Sequence, residues 1–155
     1  MPVQLQNASP SSPFASWKGQ HAGIRVPDFA ACVAWYREKL DFRLVQSMTF
    51  GATTFGFLAP AVDNGFRLEI LANPNGIERP AYTDLPDSHK IMGWHHICFS
   101  TDNLHDSVDE LKRRGVAMVS EPIDVKELGI RFVFLADPWG NLFELMQPLQ
   151  DPSDN

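Results

Sequence analysis

Two histidines and two glutamates recur at one spacing. His21 opens the stretch His21-Ala22-Gly23-Ile24-Arg25-Val26, and Glu69 lies inside Phe66-Arg67-Leu68-Glu69-Ile70-Leu71, 48 residues later (69 − 21). His96 opens His96-Ile97-Cys98-Phe99-Ser100-Thr101, and Glu144 lies inside Asn141-Leu142-Phe143-Glu144-Leu145-Met146, again 48 residues later (144 − 96). The second set maps onto the first with an offset of 75 (96 − 21). A carboxylate in the middle of an apolar strand is costly unless it is paired or holds a cation. Two imidazoles and two carboxylates suit one divalent ion of borderline-to-hard character, and Ni, Co, Mn, Fe(II) and Zn all fit. The bland alternative is two separate His–Glu pairs, each satisfying itself. Matched recurrence in both halves favours the metal.

Elements that would position these residues can be read around them. Apolar residues alternate at Ala22, Ile24 and Val26, which predicts a strand over 21–26 with His21, Gly23 and Arg25 on its other face. Pro27-Asp28 ends it, and Asp28 is a fitting N-cap for a helix over 29–40 with Phe29, Val33, Tyr36 and Leu40 on one face. Strands follow at 43–50, 53–58 and 66–72. The second half repeats this order, with a strand at 94–101, a helix marked by Leu104, Val108 and Leu111 and stopped at Gly115, and strands at 116–120, 130–136 and 142–147. Each half is βαβββ, and two copies of such a unit must pack together. The resulting division is an N-terminal arm over 1–17, a first module over 18–72, a connector over 73–92, a second module over 93–149 and a tail over 150–155. Phe14 and Trp17 are expected to pin the arm to the body. By parity all four candidate ligands face away from the helices, so paired modules would place them in one cavity.

Bulk properties narrow the function classes. The 155 residues carry a formal net charge of −6 with a pI near 5.2, which argues against nucleic acid as a partner. No apolar run reaches the ~20 residues of a membrane span, and no leader pattern opens the chain, so a cytoplasmic protein is expected. Cys32 and Cys98 lack CxxC spacing and read as reduced thiols. His95 has the wrong strand parity and reads as structural. His89 and His105 read as surface residues, and Cys98 as a small filler on the ligand face.

The stretches His-x-Gly-Ile-Arg-Val at 21–26, Phe-Arg-Leu-Glu-Ile-Leu at 66–71, His-His-Ile-Cys-Phe-Ser-Thr at 95–101 and Asp-Pro-Trp-Gly-Asn-Leu-Phe-Glu-Leu-Met-Gln-Pro at 137–148 resemble the vicinal oxygen chelate family, also called the glyoxalase/bleomycin-resistance/dioxygenase family. The resemblance covers about residues 20–148. It implies an α+β fold of two tandem βαβββ modules forming a half-barrel pair, with one divalent metal held by His21, Glu69, His96 and Glu144. Members of the glyoxalase I type carry this ligand set, which implies a carbon–sulfur lyase or isomerase acting on an adduct of a small 2-oxoaldehyde and a thiol, such as glutathione, through an enediolate. Glu144 is then the first-choice base and Glu69 the second. Arg25, Asn73 and Lys126 match substrate-binding positions, and a homodimer is implied. Two other branches compete: an Fe(II) ring-cleaving dioxygenase, which a fourth protein ligand disfavours, and a metal-free binding protein of the bleomycin-resistance type, which would not keep two strand-centre carboxylates.

Overall fold

The computed structural model describes residues 7–149. The expectations for residues 1–6 of the arm and 150–155 of the tail lie outside the described residues. In the first module, β1 (His21–Val26) leads into α1 (Phe29–Leu40), followed by β2 (Arg43–Phe50), β3 (Thr53–Ala59) and β4 (Arg67–Ala72). The sheet order is β1-β4-β3-β2, with β1 parallel to β4 and the remaining pairs antiparallel. The Asp28 carboxylate accepts from Ala31 N at 2.9 Å, so the expected N-cap is present. Asp41 ends α1 in the left-handed conformation (φ 54°) that glycine usually supplies.

The connector contains a single-turn helix, α2 (Leu85–Ser88), capped by Asp84. The second module holds β5 (His96–Ser100), α3 (Leu104–Arg113), β6 (Ala117–Met118), β7 (Ile123–Val125), β8 (Ile130–Ala136) and β9 (Leu142–Pro148). Its sheet runs β5-β9-β8-β6, with β7 also on β8. The expected strand over 116–120 is therefore shorter and its partner role is divided. Val119 N and Ser120 N both donate to Phe134 O, a bulge, and Pro122 supplies no amide proton before the chain returns as β7. The two mixed sheets with their helices realise the α+β fold of paired βαβββ modules.

The modules pack through their helix sides. Val26, Tyr36, Leu68 and Ile70 of the first share one buried cluster with Leu111, Val116, Leu135 and Phe143 of the second. Tyr36 is fully buried and its hydroxyl donates to Asp137 Oδ2 at 2.8 Å, joining α1 to the turn before β9. The Phe42 ring meets Phe99 edge-on at 5.7 Å. Arg114, just after α3, donates to the Glu38 and Lys39 carbonyls at the end of α1 and pairs with Asp41 at 2.9 Å. The expected docking of Phe14 and Trp17 is not found: they stack on each other at 4.8 Å and stay 58% and 76% exposed.

Candidate metal centre

The two parallel strand pairs set the candidate ligands in one geometry. In β1–β4 the register places Gly23 opposite Glu69, with His21 two residues earlier. In β5–β9 it places Cys98 opposite Glu144, with His96 two residues earlier. Alternation puts both residues of each pair on the face away from the helices. His21 Nε2 lies 3.6 Å from Glu69 Oε2, and His96 Nε2 lies 2.9 Å from Glu144 Oε2. Glu144 is the more buried carboxylate, its side chain 14% exposed against 22% for Glu69.

An aromatic wall backs each pair. Phe57 of β3 stands opposite Glu69 and meets the His21 ring edge-on at 5.4 Å. Phe134 of β8 stands opposite Glu144 and meets the His96 ring edge-on at 5.0 Å. Gly23 has no side chain where a Cβ would come within 3.3 Å of Glu69 Oε2. Its repeat counterpart Cys98 does carry one there, and the Cys98 thiol is pushed up to about 11 by burial, with the Glu144 charge adding to it. Cys98 is exposed on this face, and its raised value favours the protonated thiol near neutral pH.

A second layer, absent from the sequence reading, touches both histidines. His21 Nδ1 bonds Gln20 Oε1, and His96 Nδ1 bonds His95 Nδ1 at 2.8 Å. An amide oxygen only accepts, so the contact calls for a proton on His21 Nδ1, and an uncharged ring would then turn a bare Nε2 toward Glu69. A nitrogen lone pair and a carboxylate facing one point call for a cation between them. An imidazole nitrogen and a carboxylate oxygen in each pair are donor types that a divalent metal accepts.

The chain does not close that site by itself. Among the described residues no group of three or more His, Cys, Asp or Glu side chains is close enough to hold one ion. The sequence left open whether the four ligands meet within one chain or between two copies, and within the described chain the two pairs do not form one such group. The helix sides of the two modules share one buried cluster, and among the described residues no strand of one sheet pairs with the other.

The remaining sequence candidates are placed as follows. Arg25 is exposed on the ligand face of β1, two residues on from Gly23. Asn73 is engaged in its own turn, its Oδ1 accepting from Asn75 N at 2.9 Å and its Nδ2 donating to Thr53 Oγ1 at 3.3 Å. Lys126 is exposed in the turn between β7 and β8. Four positions along β8 separate Ile130, opposite Val125, from Phe134, opposite Glu144, on the order of 13 Å at ~3.3 Å per residue. His95 is half-buried, and burial holds its imidazole below the usual histidine range, with His96, His89 and Arg79 adding to the effect. His89 and His105 are exposed, as expected.

Comparison with known proteins gives a consistent picture. The model of the Glyoxalase/Bleomycin resistance protein/Dioxygenase superfamily matches residues 18–145. A mitochondrial methylmalonyl-CoA epimerase of Homo sapiens is 30% identical over 129 residues, covering 82% of this chain and 72% of that protein. A glyoxalase family protein from Enterococcus faecalis superimposes with a TM-score of 0.68 at 21% identity, covering 83% of this chain and 96% of that one. A glyoxalase I variant from Zea mays superimposes with a TM-score of 0.66 at 23% identity, covering 87% of this chain and 47% of that one.

Proposed function

The chain belongs to the glyoxalase/bleomycin resistance protein/dioxygenase superfamily, and on that premise we propose that it is a metal-dependent isomerase moving a proton at the carbon beside a thioester carbonyl. The observation that carries this reading is the repeated His–Glu pair, His21 with Glu69 and His96 with Glu144. The substrate class, an acyl-coenzyme A, is taken from the 30% identity to a methylmalonyl-CoA epimerase.

His21, Glu69, His96 and Glu144 would hold the divalent ion, which would supply Lewis acidity to stabilise negative charge on the thioester carbonyl oxygen as the adjacent carbon loses its proton. Epimerisation removes a proton from one face of a carbon and returns one to the other, which takes two proton-carrying groups. Glu144 is assigned as the acceptor and Glu69 as the donor. They come from different sheets, so each can serve its own face. Phe57 and Phe134 stand opposite Glu69 and Glu144 and cover one side of each His–Glu pair.

Completion of the site is assigned to a second copy of the chain. β1 and β5, which carry the two histidines, are edge strands of their sheets among the described residues. Trp94, just before β5, is 89% exposed, and Met48 and Phe50 on β2, the opposite edge of the first sheet, are 59% and 80% exposed. Open strand edges beside exposed apolar side chains are features that association covers. A homodimer in which the first module of one copy meets the second module of the other would unite two His and two Glu at each site.

The glyoxalase-type lyase expected from the sequence uses the same four residues and is the second reading. Arg25 favours it, standing exposed on the ligand face where it could pair with a carboxylate of a thiol carrier. One experiment separates the two. Protein loaded with Co2+ or Ni2+ is incubated with methylmalonyl-CoA in deuterium oxide, and deuterium uptake at the 2-carbon is followed by NMR. Interconversion of the two epimers with deuterium uptake is expected for the parent and lost in Glu144→Gln with an unchanged circular dichroism spectrum. Epimer interconversion that persists in Glu144→Gln removes that residue as the acceptor. Turnover of the methylglyoxal–glutathione hemithioacetal without any uptake transfers the assignment to the lyase.

A further inference from the structure

The second layer behind the histidines is itself repeated. Gln20 and His95 are related by the same offset of 75 (95 − 20) as the ligands. Each bonds the Nδ1 of the histidine that follows it. Gln20 does so with an oxygen, an acceptor under all conditions. His95 offers a nitrogen, which accepts only if its own proton sits on the opposite ring nitrogen. Something must therefore hold that proton in place.

That partner comes from the connector. Ser88, at the end of α2, is fully buried, and its Oγ lies 2.8 Å from His95 Nε2. The hydroxyl proton is already committed, because Ser88 Oγ donates to Leu85 O at 2.6 Å. Ser88 Oγ can then only accept from His95 Nε2–H. An uncharged His95 is left with a bare Nδ1, which accepts the Nδ1–H of His96 at 2.8 Å. An uncharged His96 is then left with a bare Nε2, 2.9 Å from Glu144 Oε2.

We propose that Ser88 and His95 are positioning residues: they form a one-way hydrogen-bond chain, Leu85 O ← Ser88 ← His95 ← His96, that fixes the tautomer of His96 with its Nε2 lone pair free for a metal. The proposal rests on the reading of His96 as a ligand. It also gives α2 a purpose, which is to carry the terminal acceptor to a module whose repeat position holds histidine in place of glutamine. Second-layer partners of this kind orient a ligand and change metal affinity by about 10–100-fold when removed.

The test uses the full chain and two readouts. Long-range 15N–1H NMR on the metal-free protein at neutral pH reports which nitrogen of His96 carries the proton, and Zn2+ competition with a chromophoric chelator reports affinity. Parent protein is expected to show His96 as the Nδ1–H form. Ser88→Ala should shift the population toward Nε2–H and weaken Zn2+ binding by about 10–100-fold. His95→Gln copies the arrangement at Gln20, so it should keep the Nδ1–H form. The double variant Ser88→Ala with His95→Gln should recover Zn2+ affinity, which a merely destabilising Ser88→Ala would not. An Nε2–H form in the parent, or an Ser88→Ala protein with unchanged tautomer and affinity, overturns the chain. A parent that keeps the Nδ1–H form yet takes up no Zn2+ overturns the functional reading, and the proposal with it.

Discussion

Replacing Tyr36 by Phe isolates the bond that clamps the two modules. The ring keeps its neighbours, with Phe143 at 5.7 Å and Phe42 at 5.8 Å, so little packing changes. What is lost is the hydroxyl donated to Asp137 Oδ2 at 2.8 Å, between groups 0% and 5% exposed. A hydrogen bond to a charged acceptor contributes about 1.5–3 kcal/mol, and leaving a buried acceptor short of a donor costs in the same range. Asp137 keeps other donors: Asn141 Nδ2 at 2.8 Å on Oδ2, and Trp139 N and Asn141 N on Oδ1. The lower end, about 1.5–2 kcal/mol, is therefore expected. With a urea m-value of about 1–3 kcal/mol/M, the unfolding midpoint should fall by roughly 0.5–2 M at unchanged m. Equilibrium urea unfolding followed by tryptophan fluorescence and by circular dichroism measures it. A midpoint equal to that of the parent would refute the clamp between the modules.

Two further perturbations probe packing and charge. A Cβ on Gly56 would meet the Phe29 ring at 2.5 Å, so Gly56→Ala should destabilise by about 1–3 kcal/mol; a thermal midpoint at or above that of the parent would contradict the close approach. Hydrogen bonds from Arg113 and Arg114 hold the Glu110 carboxyl down at about 2. A lowered folded-state value means that its contribution is complete above the ordinary 4.5 and drains away as pH falls from there toward 2. Glu110→Gln should therefore flatten the loss of stability across that acid window, and identical acid-unfolding profiles for variant and parent would count against it.

The paired modules were legible because ligand spacing and strand alternation both repeat, and alternation needs only local chain geometry. The Asp28 cap and both helix positions followed from side-chain chemistry at the ends. Three features were hidden. α2 is four residues long, too short for a helical period to show, although Asp84 and Pro86 are fitting first-turn residues. His95 is half-buried, as read, but its bonds to Ser88 and His96 were hidden because β5 begins only at His96 and alternation does not extend outside a strand. The module interface was hidden because Tyr36 and Phe143 would be apolar and buried whether they covered their own helix or the other module. For that reason the sequence left open whether one chain or two complete the site. The donor types of the site were readable, but the hydrogen-bond directions behind them needed coordinates.

The central claim is that His21 and Glu69 of one copy share an ion with His96 and Glu144 of another. It is tested most directly by mixing two single variants. His21→Ala and His96→Ala chains are unfolded together, refolded, and assayed for tightly held Co2+ by metal analysis of the gel-filtered dimer. Alone, each variant has a damaged histidine at every site. A mixed dimer restores one intact site, because the unaltered first module of one chain meets the unaltered second module of the other. Metal retained by the mixture and by neither variant alone is the predicted result. A mixture that holds no more metal than the separate variants would contradict a shared centre.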